Sequence, residues 1–509
     1  MEFNQENRTF STPVTVLDTV AEQLADVDLT LPDYCPDIEK ILKCTLTPKI
    51  QSKSLSGGQL QIDGTCVVNV RYVERIKKTI RCCEQSVNFS QNFSVKETPD
   101  NPVIITKTKS EYINCRALSP RRLVMHGAFS LYAKVKSSSK TSIYSSVDSS
   151  IESLKKRVNC TDLKSLCQEQ FNVCEEVSVA DKPAIESIIR SSVDVTLTDA
   201  KAVTGKLMIN GEINLKLLYI TDVESGEISK IDYLLPFNQI IDCDGIDEKT
   251  INIVECDVMS YDIRLKNDMM SEKPSIVADV MLCVTEEGYL TNDEEVIVDS
   301  YSVTCASKPE FEQFSISNEV LPLFETQMEK IVVKVDNGKI TKILDIFTDG
   351  VSCEQINSDS GLKAGGKINI CILAVNEDGI PIIIERTCEY EHTFNTASDF
   401  NTLQNIHPHT SSISYRLADD NTIEIRCELK LCTCAEKTER LKVVCGMELF
   451  EDKPIVSDSC ALTLYFAKQG ESLWNIAKTH NTRLDLLLSE NSEENITLDS
   501  AQMLLIPKI

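Results

Sequence analysis

The chain has 509 residues, of which 42% are hydrophobic and 26% are charged, and its formal net charge is −26 at pH 7. At about 150 residues per domain this length predicts three or four domains, and the composition excludes wholesale disorder. The acidic balance disfavours nucleic-acid phosphates and anionic lipid surfaces as partners.

Two further features predict a cytosolic protein. No stretch reaches the ~20 consecutive apolar residues that a membrane helix needs, and residues 1–7 lack the basic and apolar regions of a signal peptide. The 21 cysteines are an odd number in a long chain. They therefore favour reduced, largely buried thiols over a disulfide framework.

The sequence contains three copies of one pattern. The segments 38–42, 58–64 and 67–73 recur without a gap, 147 positions later, at 185–189, 205–211 and 214–220. A weaker third copy, shifted by 302 positions from the first, includes residues 340–344 and 370–375, with Ala374 in the place of Tyr72. A fixed period of this kind predicts tandem domains.

Each copy favours strands over helices. Apolar residues recur at every second position, which indicates antiparallel sheets, and Gly58 and Gly64 are expected to bracket a short strand with turns. The polar run 136–150 indicates an exposed loop or linker. The following segment, 151–167, has apolar residues at helical spacing, so we expect a helix there.

The C-terminal fifty residues differ in character. Helical spacing and turn residues predict a strand at 462–467, a helix at 473–478 with Ser472 as its N-cap, a second helix near 483–489 and a final strand at 503–507. The predicted order is therefore βααβ.

This stretch resembles a LysM module. The matching residues are Tyr465, Gly470, Leu473, Trp474, Ile476, Ala477, Asn491, Gln502, Leu504, Ile506 and Pro507. LysM modules usually bind chains of N-acetylglucosamine between the loop after the first strand and the loop before the last. The resemblance thus assigns ligand or partner binding to Gly470, Glu471, Ser472, Leu473, Asn491, Asn495, Ile496 and Ala501.

Two alternatives stay open for this module. Leu473, Trp474 and Ile476 are at spacing typical of the core of a small domain. The loop 492–495 is more acidic than the LysM pattern, so the ligand is either a glycan or a protein.

The whole chain resembles the SipL-like spore coat morphogenetic proteins of clostridia. The resemblance rests on residues 31–42, Leu-Pro-Asp-Tyr-Cys-Pro-Asp-Ile-Glu-Lys-Ile-Leu, on a partial second copy at 180–189, and on the terminal LysM pattern. It implies a non-enzymatic protein of the mother-cell cytoplasm, at the forespore surface, that helps recruit and attach the coat basement layer through protein contacts of its LysM domain. The implied partners are the coat basement-layer ATPase and other coat proteins.

The sequence predicts no catalytic, cofactor or metal site. Five histidines form no evident constellation with a nucleophile. The densest cysteine cluster, Cys427, Cys432, Cys434 and Cys445, contains no Cys-x-x-Cys pair, and the glycines at 365–366 lack the spacing of a phosphate loop. The alternative from another class is a hydrolase that uses one cysteine.

The predicted fold is mainly β, with three tandem antiparallel β-sandwich-like repeat domains followed by a small βααβ LysM domain. The predicted limits are 1–150, 151–305, 306–455 and 460–509. We expect a scaffold for coat assembly, and the alternative is a cell-wall adaptor whose LysM domain binds peptidoglycan.

Overall fold

The computed structural model describes residues 6–96, 99–146, 151–179, 181–266, 275–335, 338–358, 361–397, 399–455, 462–493 and 495–507. In these ranges the chain is mainly β, as predicted, and its two short helices lie near the C-terminal end. The strands form antiparallel sheets. The predicted domain limits remain predictions, and the strands are grouped below into three units by the sheets they form.

The first unit contains two sheets. Its strands are β1 (Glu6–Leu24), β2 (Val27–Thr30), β3 (Ile38–Ser56), β4 (Gln59–Glu74), β5 (Ile80–Ser94), β6 (Val103–Ser119) and β7 (Arg122–Ser146). β3, β4 and β5 form a meander, while β7 pairs with β1, β2 and β6 in the other sheet. Leu60 and Val68 of the meander share one buried core with Leu123 and Phe129 of β7.

The second unit repeats this plan. Its strands are β8 (Ile151–Ser178), β9 (Ser187–Val203), β10 (Lys206–Asp222), β11 (Glu227–Asp242), β12 (Ile251–Lys266) and β13 (Ser275–Ser302). β9, β10 and β11 form the meander, and β13 lies between β8 and β12. Leu207 and Leu215 of the meander share a core with Val280 and Leu282 of β13.

The third unit has the same order of strands. They are β14 (Cys305–Lys334), β15 (Ile340–Val351), β16 (Glu354–Ile356), β17 (Lys363–Asn376), β18 (Pro381–Thr393), β19 (Thr402–Asp419) and β20 (Thr422–Pro454). β17 pairs with β15, β16 and β18, and β20 lies between β14 and β19. The near-perfect alternation of Thr422 to Leu431 places Ile423 and Ile425 in the core, whereas the intervening polar side chains are less deeply buried.

One buried tyrosine fixes the start of the meander in the first two units. The Tyr72 hydroxyl donates to the Pro36 carbonyl at 3.2 Å, and the Tyr219 hydroxyl, 147 positions later, donates to the Pro183 carbonyl at 3.4 Å. The third unit has Ala374 instead, and a glycine stands where the proline would be. Both halves of the contact have therefore been replaced together.

Gly64 lies inside β4, so the prediction of a turn at this residue is wrong. It is paired with Phe89, and a Cβ on Gly64 would lie 2.5 Å from the Phe89 Cζ atom. Gly211 is placed in the same way against Phe237. The absent side chain makes room for the ring of the neighbouring strand. Gly58 does occupy a turn, with a φ of 75°.

Residues 151–167 are strand, and the prediction of a helix there is wrong. They form the first part of β8, which pairs with β13 along its length. Val158 and Cys160 are buried two positions apart, which is the period of a strand. Pairing with a long neighbouring strand has overridden the helical spacing of the apolar residues.

The described part of the polar run 136–150 is also strand instead of the predicted linker. β7 continues to Ser146 and pairs with β1, while residues 147–150 lie outside the described ranges. Hydrogen bonding to β1 lets these serines and lysines extend the sheet despite their polarity.

The three meander sheets meet one another. Ile80, Ile189, Leu218, Ile220 and Leu373, which come from all three units, form one buried apolar cluster. The three units are therefore packed against one another through a shared apolar interface.

Ion pairs surround this cluster. Lys43, Arg190 and Asp345 occupy corresponding positions of the three copies. Lys43 Nζ pairs with Asp349 at 2.7 Å and with Glu385, and Arg190 pairs with Asp345 at 3.5 Å. One cation from each of the first two units thus meets anions of the third, which satisfies charges that burial would otherwise penalise.

Candidate functional site: the C-terminal module

The C-terminal module has the predicted order of elements. They are β21 (Leu462–Ala467), α1 (Leu473–His480), α2 (Leu484–Asn491) and β22 (Gln502–Pro507). Its core is formed by the buried side chains Ala467, Leu473, Trp474, Ile476, Ala477, Leu487, Leu498, Leu504 and Ile506. In the described ranges no helix is long and apolar enough to cross a membrane.

The two loops predicted to form a binding groove lie side by side. The Leu473 amide donates to the Ile496 carbonyl at 2.7 Å, and the Gly470 amide donates to the Leu498 carbonyl at 2.8 Å. Ser472 occupies the N-cap position of α1 without a side-chain capping bond, and its backbone forms a bridge with Thr497. The backbone thus joins loops that are more than twenty residues apart in sequence.

Two predicted site residues, Glu471 and Asn491, form hydrogen bonds within the module. The Glu471 carboxylate accepts from the Tyr465 hydroxyl at 2.7 Å and from the Lys468 amide at 2.9 Å. These bonds, first the one from the Lys468 backbone and then the one from Tyr465, hold the pKa of Glu471 below its ordinary value. The Asn491 side chain donates to the Leu505 carbonyl at 2.7 Å and accepts from the Leu505 amide at 2.7 Å, which ties the end of α2 to β22.

The other predicted site residues divide by exposure. Leu473 is fully buried in the core, so only its backbone reaches the loops. Gly470, Asn495, Ile496 and Ala501 are exposed. Glu494, part of the acidic loop, lies outside the described residues.

The module is docked on the second unit through Trp474. Its indole Nε1 donates to Asp299 Oδ2 of β13 at 2.7 Å, and Lys478 Nζ pairs with the same carboxylate at 2.6 Å. The Tyr301 ring packs edge-on against Trp474 with centroids 4.9 Å apart, and the Tyr301 hydroxyl donates to the Thr482 carbonyl at 2.7 Å. Trp474 is therefore both a core residue of the module and a direct contact with the second unit.

The side of the β21–β22 sheet that faces away from the helices is apolar and exposed. It presents Leu462, Leu464, Phe466, Met503 and Leu505, whose exposed fractions are 51%, 65%, 66%, 63% and 38%. Leu464 is paired with Leu505, and Phe466 with Met503. We call these five residues the outer apolar face. The sequence contained a signal for this face, because apart from Thr463 both alternating sets of residues in β21 are apolar or aromatic, while a single sheet face suffices for the core.

A separate cavity of about 780 Å³ lies between the second and third units. Its ionisable lining residues include Asp194, Asp199, Glu255, Asp257, Glu325, His407, His409 and Lys430. Burial raises the pKa of Asp257 and lowers the pKa of His409. Both shifts favour the uncharged form of the buried group.

His407 in this cavity stands opposite Cys432 on paired strands. Its Nε2 lies 2.7 Å from Glu255 Oε2, and its Nδ1 lies 3.0 Å from Lys107 Nζ. Burial raises the pKa of the Cys432 thiol. Both ring nitrogens of His407 have partners, and burial disfavours the thiolate form of Cys432. Cys432 and His407 therefore lack the arrangement of an activated cysteine nucleophile with its base.

Two groups of metal-ligand type occur in the described part of the chain. They are Asp349 with Cys371 and Glu385, and Cys167 with Cys243 and Glu286. The first group already holds a cation, the ammonium of Lys43. The second combines two thiols with a buried carboxylate, and sequence spacing gave no sign of it because its members are separated by more than 40 residues.

Comparison with known proteins identifies the meanders. The sequence profile of the SipL, SPOCS domain family matches residues 37–118 and 184–266. These segments begin 147 positions apart, the shift between the first two sequence copies, and they cover β3–β6 and β9–β12. No match to the chain was found among curated proteins or solved structures. The two segments are therefore SipL-type SPOCS domains, and this match supports a SipL-like, sporulation-related protein.

Proposed function

We propose that this protein is a non-enzymatic scaffold that helps recruit and attach the coat basement layer around the forespore. In this proposal the C-terminal module is LysM-like and binds protein, and the three units are tandem sandwich-like repeats. Its partners are the coat basement-layer ATPase and other coat proteins in the mother-cell cytoplasm. The SPOCS match supports the sporulation role, and the surface of the C-terminal module supports protein contacts.

The observation that carries the proposal is the outer apolar face. Contiguous exposed apolar side chains on a small sheet are typical of protein-binding surfaces. Phe466 and Met503 are 66% and 63% exposed. Since full burial of such a side chain is worth roughly 1.5–3 kcal/mol, each would contribute about 1–2 kcal/mol on contact with a partner.

The predicted groove supports a protein partner over a glycan. Sugar recognition needs polar side chains with free hydrogen-bonding groups. Glu471 and Asn491, the most polar residues predicted there, already bond within the module. Their replacement by sugar contacts would cost the module internal hydrogen bonds.

The docking of the module adds orientation and avidity. Asp299 and Tyr301 hold the module against the second unit, so the outer apolar face is presented at a defined angle to the repeats. When one contact between the protein and the coat layer has formed, the effective concentration for forming the next contact rises, because both sites belong to one rigid assembly. A coat layer would then be held by many contacts of modest strength.

Capture by the purified coat basement-layer ATPase tests this function. The full chain is compared with the double variant Phe466→Glu, Met503→Glu and with a matched control, Met208→Glu, Ile240→Glu. Met208 and Ile240 are another exposed cross-strand pair, on the second unit. We expect the outer-face variant to bind at least about 30-fold more weakly, from the loss of about 2–4 kcal/mol, and the control to bind like the native chain.

Equal binding by the native chain and the outer-face variant would refute the proposal. Sedimentation of the full chain with purified sacculi tests the wall-adaptor alternative. We expect the chain to stay in the supernatant. Sedimentation that persists in the outer-face variant would favour glycan binding instead.

A further inference from the structure

Three ligand-type side chains from separate elements of the second unit meet between its two sheets. Cys167 on β8 and Glu286 on β13 are direct cross-strand partners, and Cys243 directly follows β11 of the other sheet. The Cys167 Sγ atom lies 3.6 Å from Glu286 Oε2. One ligand atom from each residue lies within 4.8 Å of the other two.

Glu286 is fully buried, and one of its oxygens lacks a partner. Oε2 accepts from the Ser165 hydroxyl at 2.7 Å, whereas Oε1 has no hydrogen-bond partner among the described residues. A buried carboxylate oxygen without a partner is unfavourable, and native proteins rarely leave one without a reason. A bound cation would supply the missing partner.

The loop that carries Cys243 is held firmly in place. The Cys243 amide donates to the Gly205 carbonyl at 3.1 Å, and the Gly205 amide donates to the Ile246 carbonyl at 3.0 Å. Gly245 has a φ of 92° and lies so close to the Lys164 carbonyl of β8 that a Cβ there would overlap it. The thiol is therefore positioned by the backbone before any ligand arrives, as a preorganised site requires.

We propose that Cys167, Cys243 and Glu286 form a binding site for a thiophilic divalent cation, with Zn²⁺ as the ion that best fits this ligand set. Two thiolates and one carboxylate suit zinc, whereas magnesium and calcium prefer oxygen ligands alone. The fourth position of a tetrahedral site would be taken by water. The ion would join the two sheets of the second unit and so stabilise their packing.

Proton release accompanies binding. Burial raises the pKa of Glu286, and a neighbouring thiol together with burial raises the pKa of Cys167. Ligands must be deprotonated to bind a metal. Each ligand that gives up a proton on binding is replaced at the ion by its anion, and two thiolates and one carboxylate with Zn²⁺ carry a net charge of −1.

Cobalt titration of the purified, chelator-treated full chain tests the site. Co²⁺ reports thiolate ligation through a charge-transfer absorption in the near ultraviolet. The variants are Cys167→Ser, Cys243→Ser and Glu286→Gln, and the matched control is Cys160→Ser, another buried thiol of β8 that is outside the cluster. Far-ultraviolet circular dichroism and tryptophan emission establish that each variant is folded.

We expect the native chain and the control to show one saturating cobalt per chain with the thiolate band, which zinc then displaces. Each cysteine variant should lose at least half of the band intensity, and Glu286→Gln should bind at least tenfold more weakly. The proposal is wrong if the native chain shows no thiolate band, or if the folded cysteine variants keep it in full. A Cys167–Cys243 disulfide found by peptide mapping of protein purified without reductant would also overturn it.

Discussion

Replacing Asp299 by alanine should release the C-terminal module from the second unit. The Asp299 carboxylate accepts from Trp474 Nε1 at 2.7 Å and pairs with Lys478 at 2.6 Å. A hydrogen bond to a charged group is worth about 1.5–3 kcal/mol, and a partly exposed ion pair adds at most about 1 kcal/mol. The expected loss is about 1.5–4 kcal/mol, or roughly 12- to 700-fold in the docking equilibrium.

Tryptophan fluorescence measures this release directly, because Trp474 is the only tryptophan of the chain. In the native protein its ring is buried against Tyr301. Asp299→Ala should shift the emission to longer wavelength and increase quenching by acrylamide. Asp299→Asn keeps an acceptor for the indole and should have a smaller effect.

Asp293→Ala is the control, because Asp293 is an exposed carboxylate on the same strand. It should leave emission and quenching unchanged. If Asp299→Ala gives the same spectrum and quenching constant as this control, the docking contact does not hold the module in place and the reasoning fails.

Three further predictions concern stability. Gly64→Ala should lower the free energy of unfolding by about 1–3 kcal/mol, because the new methyl group overlaps the Lys49 carbonyl and the paired Phe89 ring. Gly446→Ala, which closely approaches only the carboxylate of a flexible side chain, should change the free energy little. Similar denaturant midpoints for the two variants would contradict this reasoning. Tyr72→Phe should cost about 0.5–1.5 kcal/mol through loss of its bond to a carbonyl, and an unchanged denaturation midpoint would show that the bond contributes nothing. Burial opposes ionisation of Glu255, but the hydrogen bond from His407 and nearby positive charges outweigh it and hold the Glu255 pKa below its ordinary value of 4.5. The resulting stability is present above pH 4.5 and is lost as the pH falls through the lower folded pKa. Glu255→Gln should therefore flatten the decline of the melting temperature in that acid range. The same decline in the native chain and in Glu255→Gln would contradict this prediction.

Local periodicity accounts for what the sequence predicted well. The mainly β fold and the βααβ order at the C-terminal end follow from spacing within short segments, and the family resemblance that grew from residues 31–42 is confirmed by the SPOCS match. At 151–167 local spacing predicts a helix, but the chain forms a strand. There the pairing of β8 with β13 determines the structure. The spacing of apolar residues within 151–167 does not indicate a pairing partner that is distant in sequence.

Long-range contacts explain what remained hidden at the site. Asp299 and Trp474 are 175 positions apart, and nothing near either residue indicates the other. The group of Cys167, Cys243 and Glu286 likewise arises only when two sheets pack. The outer apolar face was visible in the alternation of residues 462–466, but a strand with two apolar faces is also typical of a buried strand.

Imaging of a fluorescent fusion in the sporulating source cell tests the central claim most directly. The native full chain and the Met208→Glu, Ile240→Glu control should form a ring around the forespore, while Phe466→Glu, Met503→Glu should spread through the mother cell. A ring formed equally well by the outer-face variant would contradict the account, as would a native chain that stays diffuse or follows the vegetative wall.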